Sequence, residues 1–364
     1  MSDKKILLIT PDFPPGRGGI ARYLSALALY LKDDIEVVST PDPAWQTFDP
    51  TAGYPIYRRE LMSSWGWPRW RKTVKYLKTY SDRYRLILTS HLLPYGSAAL
   101  VAARKTKTPY IVFVHGMDVR LAQTSARKKT LAKKVLKGAR LVVCNSQALA
   151  REVARVFGVT ELLVVYPCLT GDAQPSAVAE GQPFTLMTIS RLVERKGHAH
   201  VLNALANLRG TGQLTDFQYH IAGTGPMEAT LKGMVNALSL DRHVTFHGDV
   251  DDMVRDQLYG QSDVFVMPVS RDPVDKEGFG LVFLEAAQSG VPSITTNLEG
   301  VNEAVVHGET GLLLDDQNEE QLAEAILLLA KDKAFRRRLG DAAQERAMEF
   351  TCAKQFEKLK PYLV

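Results

Sequence analysis

The sequence predicts an α/β chain of two doubly wound domains, and three observations predict it. Short β-branched runs alternate with amphipathic stretches from one end of the chain to the other. The alternation restarts after a Gly/Pro/Ala/Ser-rich stretch at residues 170–183. At 364 residues the chain is also too long for one ordinary core. Strands separated by helix-length segments mean βαβ units and parallel sheets.

In the first half, strands are expected at Lys4–Ile9, Ile35–Val38, Leu86–Thr89, Tyr110–Val114, Leu141–Cys144 and Leu162–Val165, with helices such as Ile20–Leu31 and Ser146–Phe157 between them. The second half repeats the grammar at Phe184–Thr188, Gln218–Ala222, Val244–Phe246, Val264–Met267, Ser293–Thr295 and Gly311–Leu314. The expected division is a domain over residues 1–168, a linker over 169–182, a second domain over 183–345 and a C-terminal helix over 346–364 that packs back on the first domain. Sheets of this kind bind ligands beyond the carboxyl ends of their strands. The expected site is a cleft between the two domains, lined by those loops.

A hydrophobic content of 45% and a charged content of 23% are those of a soluble globular protein. The first apolar run, Ile6–Ile9, is too short for a signal peptide. Cys144, Cys168 and Cys352 are odd in number, far apart and without a C-x-x-C spacing, which argues for a reducing, cytoplasmic setting and against a disulfide or zinc framework. The net charge of +5 is unevenly spread: residues 1–167 hold 27 Lys and Arg against 12 Asp and Glu, and the remainder is net acidic. A polyanionic surface, nucleic acid or anionic lipid, is therefore expected as a partner of the first half alone.

Five loops carry candidate chemistry. The first, Thr10 to Ala21, includes Gly16-x-Gly18-x-x-Ala21 and Gly18-Gly19 at a helix start, which suits a phosphate or a closely approaching sugar. The prolines from Pro11 to Pro15 make it longer than a dinucleotide fingerprint. The second loop is His115-Gly116-Met117-Asp118, at the end of a strand; the other seven histidines lack a comparable setting. In Ser190-Arg191-Leu-Val-Glu194-Arg195-Lys196-Gly197, Arg191 and Lys196 can clamp a diphosphate. Gly223-Thr-Gly225-Pro226 is a tight turn that would line the same pocket. In Glu277-Gly-Phe-Gly280-Leu-Val-Phe-Leu-Glu285, two carboxylates flank a turn that starts a helix. Glu277 and Glu285 are good acceptors for sugar and ribose hydroxyls. The amides of Phe279, Gly280 and Leu281 can meet an oxyanion.

In this order the motifs resemble glycosyltransferase family 4, a family of retaining GT-B enzymes built from two Rossmann-like domains, and the resemblance spans about residues 4–350. The Asp-Phe-Pro-Pro…Gly-Gly-Ile opening looks similar to that of the bacterial phosphatidylinositol mannosyltransferases. The resemblance implies that Arg191 and Lys196 hold the donor diphosphate and that Glu285 binds the ribose. It implies that Glu277 binds the transferred sugar, with the Phe279–Leu281 amides beside it. His115 would touch that sugar, Gly18 and Gly19 would cover the diphosphate, and the backbone at Val250 would meet the base. It also implies retention of configuration and no metal or other cofactor. The chain departs from the family at Tyr166-Pro-Cys-Leu-Thr, where many members read Asn-Gly-Val-Asp.

The expected reaction is hexosyl transfer from GDP-mannose or a UDP-sugar to a lipid-linked or glycan acceptor, stabilised electrostatically, with the leaving phosphate deprotonating the acceptor. An epimerase of the same architecture, a nicotinamide oxidoreductase and a non-catalytic binding module are the alternatives. The Glu277/Glu285 pair disfavours the oxidoreductase, and the lack of aromatic-interleaved RNA motifs disfavours a nucleic-acid partner.

The segment Ser63 to Lys78 holds three of the four tryptophans, Trp65, Trp67 and Trp70, and the cations Arg71, Lys72 and Lys75. Its pattern is that of an amphipathic interfacial anchor, which implies a peripheral position on an anionic membrane. The opposing reading makes these tryptophans core packing beneath a solvated helix.

Overall fold

The computed structural model describes residues 4–16, 18–65, 68–170, 182–272 and 278–364. They form two compact units, one of residues through Thr170 together with Thr351–Val364, the other of the residues between, through Phe350.

The first unit holds seven strands: β1 (Lys5–Thr10), β2 (Ile35–Ser39), β3 (Ile56–Arg58), β4 (Tyr84–Ser90), β5 (Tyr110–Val114), β6 (Leu141–Cys144) and β7 (Leu162–Val164). Every pairing is parallel, in the order β3-β2-β1-β4-β5-β6-β7. Both faces are covered, so a central strand such as β5 is buried along its whole length and reads as a continuous apolar run. Leu7 and Ile9 pack under the helices Arg71–Thr79, Tyr95–Thr106, Ala126–Gly138 and Gln147–Phe157. Ile6 and Leu8 face the helix Gly19–Tyr30 and the C-terminal segment. The short edge strand β3 has no counterpart among the expected strands, because its three half-buried residues, Ile-Tyr-Arg, leave no apolar run to read.

The second unit holds β8 (Phe184–Ile189), β9 (Phe217–Ala222), β10 (Val244–Gly248), β11 (Val264–Met267), β12 (Ser293–Thr296) and β13 (Gly311–Leu314), again all parallel. Their order is β10-β9-β8-β11-β12-β13. In each sheet the winding reverses once, at β1/β4 in the first and β8/β11 in the second. These switch points are where such sheets leave a crevice at the strands' carboxyl ends.

The C-terminal segment belongs to the first unit, but not as one helix over 346–364. The helix Lys333–Ala347 ends in the second unit, a turn Met348–Phe350 follows, and a short helix Cys352–Glu357 crosses to the first. There Phe356 packs 5.7 Å from the Tyr23 ring, and the Tyr30 hydroxyl donates to Glu357 Oε2 at 2.9 Å.

One expectation is corrected. Cys168 and Cys352, separated by 184 residues, are joined as a disulfide, and only Cys144 is free. The return of the C-terminal segment beside residue 168 brings the two together, with Leu169 and Thr351 forming a β-bridge next to them. Sequence distance alone could not reveal that approach.

Candidate active site

In the first unit the loops after β1, β4 and β5 converge. Asp118 is the organiser. Its Oδ1 accepts from the backbone N–H of His115 and of Val119, each at 3.0 Å, and its Oδ2 accepts from Leu92 N–H at 2.8 Å. One buried carboxylate thus ties the loop after β4 to the loop after β5. His91, in a left-handed conformation at φ 71°, reaches across the switch point to Asp12, with Nε2 at 3.2 Å from Oδ2. Its Nδ1 is 2.6 Å from Ser90 Oγ, and Ser90 Oγ accepts from Thr10 Oγ1 at 3.1 Å.

His115 stands beside this pair, its ring 5.7 Å from that of His91. Its Nε2 is buried without a hydrogen-bond partner, an arrangement that costs free energy unless something fills it. Burial pushes its pKa down to about 4; the Asp118 charge opposes this and the His91 charge adds to it. For His91, burial also lowers the pKa, but the hydrogen bond to Asp12 and the charges of Asp118 and Asp12 outweigh it, and the net shift is upward. Asp12 is held below its usual value, first by the hydrogen bond from His91. A histidine whose proton is favoured by its carboxylate partner therefore adjoins one whose proton is disfavoured by burial. His91, one of the seven histidines without a comparable setting in the sequence, is brought beside His115 here.

Gly18 and Gly19 open the helix Gly19–Tyr30, and no side chain caps it. In contrast Ser125, Ser146, Asn318 and Asp332 cap their helices with side-chain oxygens. The uncapped end borders a cavity of about 390 Å³ that also touches Asp12 and Arg58. Arg58 is locked to Asp49, at 2.6 Å from Oδ1, and to the Pro14 carbonyl, so its role is to fix the loop.

In the second unit the loops after β8, β9 and β11 are knitted by backbone. Ser190 N–H donates to Ala222 O at 3.1 Å, Leu192 N–H to Thr224 O at 2.9 Å, and Met227 N–H to Leu192 O at 3.0 Å. On the other side Ser270 N–H donates to Arg195 O at 2.8 Å. Two glycines make this possible. A Cβ on Gly223, at φ +122°, would lie 1.9 Å from Ser190 O, and one on Gly197, at φ +77°, 2.2 Å from Pro268 O.

This platform carries Arg191, which is exposed, and Lys196, which is only 7% exposed. Nearby, buried His198 is driven down to about 4, first by burial and then by the Lys196 charge. It is therefore neutral near pH 7 and adds no charge to the two cations. Gly280, in the left-handed region, starts the helix Leu281–Gln288 without a side-chain cap. Its neighbour Phe279 is buried, and Leu281 is the first helical residue. Glu285 lies one turn inside, half-buried, and accepts from the Tyr259 hydroxyl at 3.1 Å. Burial raises its pKa, against the Arg255 charge and the Tyr259 hydrogen bond. Val250 is half-buried in the loop after β10, beside Asp251, which caps the next helix. Glu277 lies outside the described residues.

The basic segment gives a mixed outcome. Trp65 is 86% exposed, whereas Trp70 packs half-buried against the core, so the two tryptophans divide between the anchor and core-packing readings. Arg71, Lys72 and Lys75 are exposed on the helix Arg71–Thr79, and Trp67 lies outside the described residues. No helix among the described residues is long and apolar enough to cross a membrane. Nor, among them, do three or more His, Cys, Asp or Glu residues gather in a group that could hold a metal ion.

The chain is a glycosyltransferase of GT-B fold. Residues 17–169 match the model of Glycosyltransferase Family 4, residues 172–346 match that of Glycosyl transferases group 1, and the chain belongs to the enzymes that join these halves. It is 29% identical, over 94% of its length and 93% of the relative's, to the GDP-mannose-dependent alpha-(1-6)-phosphatidylinositol monomannoside mannosyltransferase of Mycobacterium tuberculosis. It is 26% identical, over the same shares, to the GDP-mannose-dependent monoacylated alpha-(1-6)-phosphatidylinositol monomannoside mannosyltransferase of Corynebacterium glutamicum. Among solved structures, Anabaena HepE in complex with UDP superposes with a TM-score of 0.83 at 22% identity, covering 99% of both chains.

Proposed function

We propose that the chain is a retaining mannosyltransferase, independent of metal, that moves mannose from GDP-mannose to a lipid-linked acceptor at an anionic membrane. The observation that carries the donor half of this reading is the cationic loop of Arg191 and Lys196 at the switch point of the second sheet. Arg191, Lys196 and the uncapped helix ends at Gly18-Gly19 and Phe279–Leu281 would hold the diphosphate. They would stabilise the charge that grows on it as the glycosidic bond breaks. Glu285 would accept from the ribose hydroxyls, and the backbone at Val250 would meet the guanine. Glu277 would bind hydroxyls of the mannosyl group.

His115 has an unpaired Nε2 suited to one sugar hydroxyl, which would relieve its missing hydrogen bond. A neutral imidazole can either donate or accept there. The leaving phosphate would take the acceptor's proton as the new bond forms on the same face. Exposed Trp65 with Arg71, Lys72 and Lys75 would rest on the bilayer. GDP-mannose is favoured by the mannosyltransferases that the chain resembles along almost its whole length. A UDP-sugar is the second reading, because HepE, of the same fold, binds UDP.

The test is turnover of GDP-mannose and UDP-glucose with a phosphatidylinositol mannoside acceptor, in EDTA, with the product's anomeric configuration read by NMR. Transfer from GDP-mannose with an α product is expected. A β product, or loss of activity in EDTA that added divalent metal restores, would overturn the mechanism.

A further inference from the structure

Three helices lying side by side on one face of the first sheet, Arg71–Thr79, Tyr95–Thr106 and Ala126–Gly138, carry twelve Lys and Arg residues and no Asp or Glu. Compensation of helix dipoles does not account for this. Only Lys137 of the six cations on Ala126–Gly138 lies in its last turn, where a cation is favoured. Between the second and third of these helices is a cavity of about 610 Å³. Leu100, Ala103 and Tyr110 line it together with Arg104, Lys133, Lys134 and Lys137, and no carboxylate does.

The Tyr110 hydroxyl donates to Val135 O at 2.6 Å, so it is already paired, and its ring is buried in the floor beneath the cavity. Tyr110 is the first residue of β5, and the helix Ala126–Gly138 ends just before β6. The cavity therefore opens at the amino ends of the strands, the end of the sheet away from Asp12, His91 and His115. It is separate from the site described above.

We propose that this cavity takes an acyl chain of an anionic phospholipid from the bilayer, with its phosphate held by Lys133, Lys134 and Lys137. An apolar lining with cations and no carboxylate fits an amphiphile with an anionic head. Apart from Thr130 and the cations, a nucleotide or a sugar would find no unpaired hydrogen-bonding side chain in this lining. Seating a lipid here lays all three basic helices on the same membrane surface, where each Lys or Arg adds to the attraction. The inference rests on the membrane reading above for the bilayer, but not for the cavity itself.

The cavity is tested with dihexanoylphosphatidylglycerol below its micelle concentration, followed by calorimetry, with dihexanoylphosphatidylcholine as the neutral probe. Binding of the anionic lipid is expected. It should weaken about tenfold or more in Lys133→Glu/Lys134→Glu. It should also be blocked in Ala103→Trp, which fills the cavity without changing charge. Donor hydrolysis and thermal melting, measured alongside, show that both variants are folded. No binding of the short-chain anionic lipid, or equal binding of the neutral one, overturns the inference. Phosphatidylglycerol vesicles separate it from the membrane reading. If these variants bind vesicles as well as wild type while Trp65→Ser/Arg71→Glu does not, the cavity fails and the anchor stands. If wild type binds no anionic vesicles at low salt, the membrane reading fails as well.

Discussion

The loops at the carboxyl ends of the two sheets are held by different means. In the first unit, side-chain carboxylates hold them: Asp118 on three amides and Asp12 on the His91 ring. In the second, backbone hydrogen bonds run from loop to loop, and glycines let them approach. The first arrangement leaves histidines whose protonation depends on their neighbours. The second leaves fixed dipoles and the basic side chains of Arg191 and Lys196. A leaving diphosphate needs the second kind of surface, because its stabilisation should not depend on a proton. An uncharged hydroxyl substrate is better served by the first.

The largest effects should come from removing the element that holds each set of loops. Gly223→Ala forces a Cβ against Ser190 O in a left-handed conformation, which costs about 3 kcal/mol or more from strain and overpacking together. Asp118→Ala leaves three amide donors in a buried setting and should cost about as much. Urea unfolding of each variant reads the loss. A drop below about 1 kcal/mol in either would mean that those loops are held by something else.

Next in size is the cationic loop. Arg191→Ala and Lys196→Ala should each lower kcat/KM by about tenfold or more, since a charge-assisted bond contributes about 1.5–3 kcal/mol. Near-normal kcat/KM in both would remove the diphosphate role. Glu285→Ala should act more weakly and chiefly on donor KM, because a ribose contact is equal in ground and transition states. If kcat falls instead with KM unchanged, Glu285 belongs to the reacting sugar.

The difference in construction also explains what could be read from the sequence. Buried parallel strands are continuous apolar runs, so β5, β6, β11 and β13 begin and end where the sequence predicts. The second unit's site is local in sequence: Arg191 and Lys196 share one loop, and Glu285 sits a turn into the next motif's helix. The first unit's site depends on strand order. Asp12 and His91 meet only because β4 pairs with β1 across the switch point, and no spacing in the chain encodes that. The same holds for Cys168 and Cys352. An isolated histidine in His91-Leu-Leu-Pro has no local signal beyond its strand end.

The smallest expected effect is the sharpest test of the contrast, because the two units should respond to pH with opposite sign. The His91 pKa is raised in the fold, so its contribution to stability is complete below the unfolded value near 6.5. It is lost as pH rises through the folded value. Asp12 is lowered and contributes above its unfolded value near 3.8, losing this as pH falls through its folded value. The pair is therefore worth most between roughly pH 4 and 6.5. His198 in the second unit is lowered to about 4 with no carboxylate to favour its proton. The unfolded chain takes up that proton first, so His198 costs stability as pH falls from about 6.5 toward 4. His91→Gln should therefore lag wild type in melting temperature more at about pH 5.5 than at about pH 8.5, whereas His198→Gln should close on wild type as the medium is acidified. His115, lowered to about 4 by burial and further by the His91 charge, adds an acid-side cost that His198→Gln shares with wild type but that His91→Gln itself eases. A His115→Phe/His91→Gln double variant controls for that. Parallel pH profiles for the two single variants would mean that the Asp12–His91 pair is not formed in solution and that the first unit's loops rest on Asp118 alone.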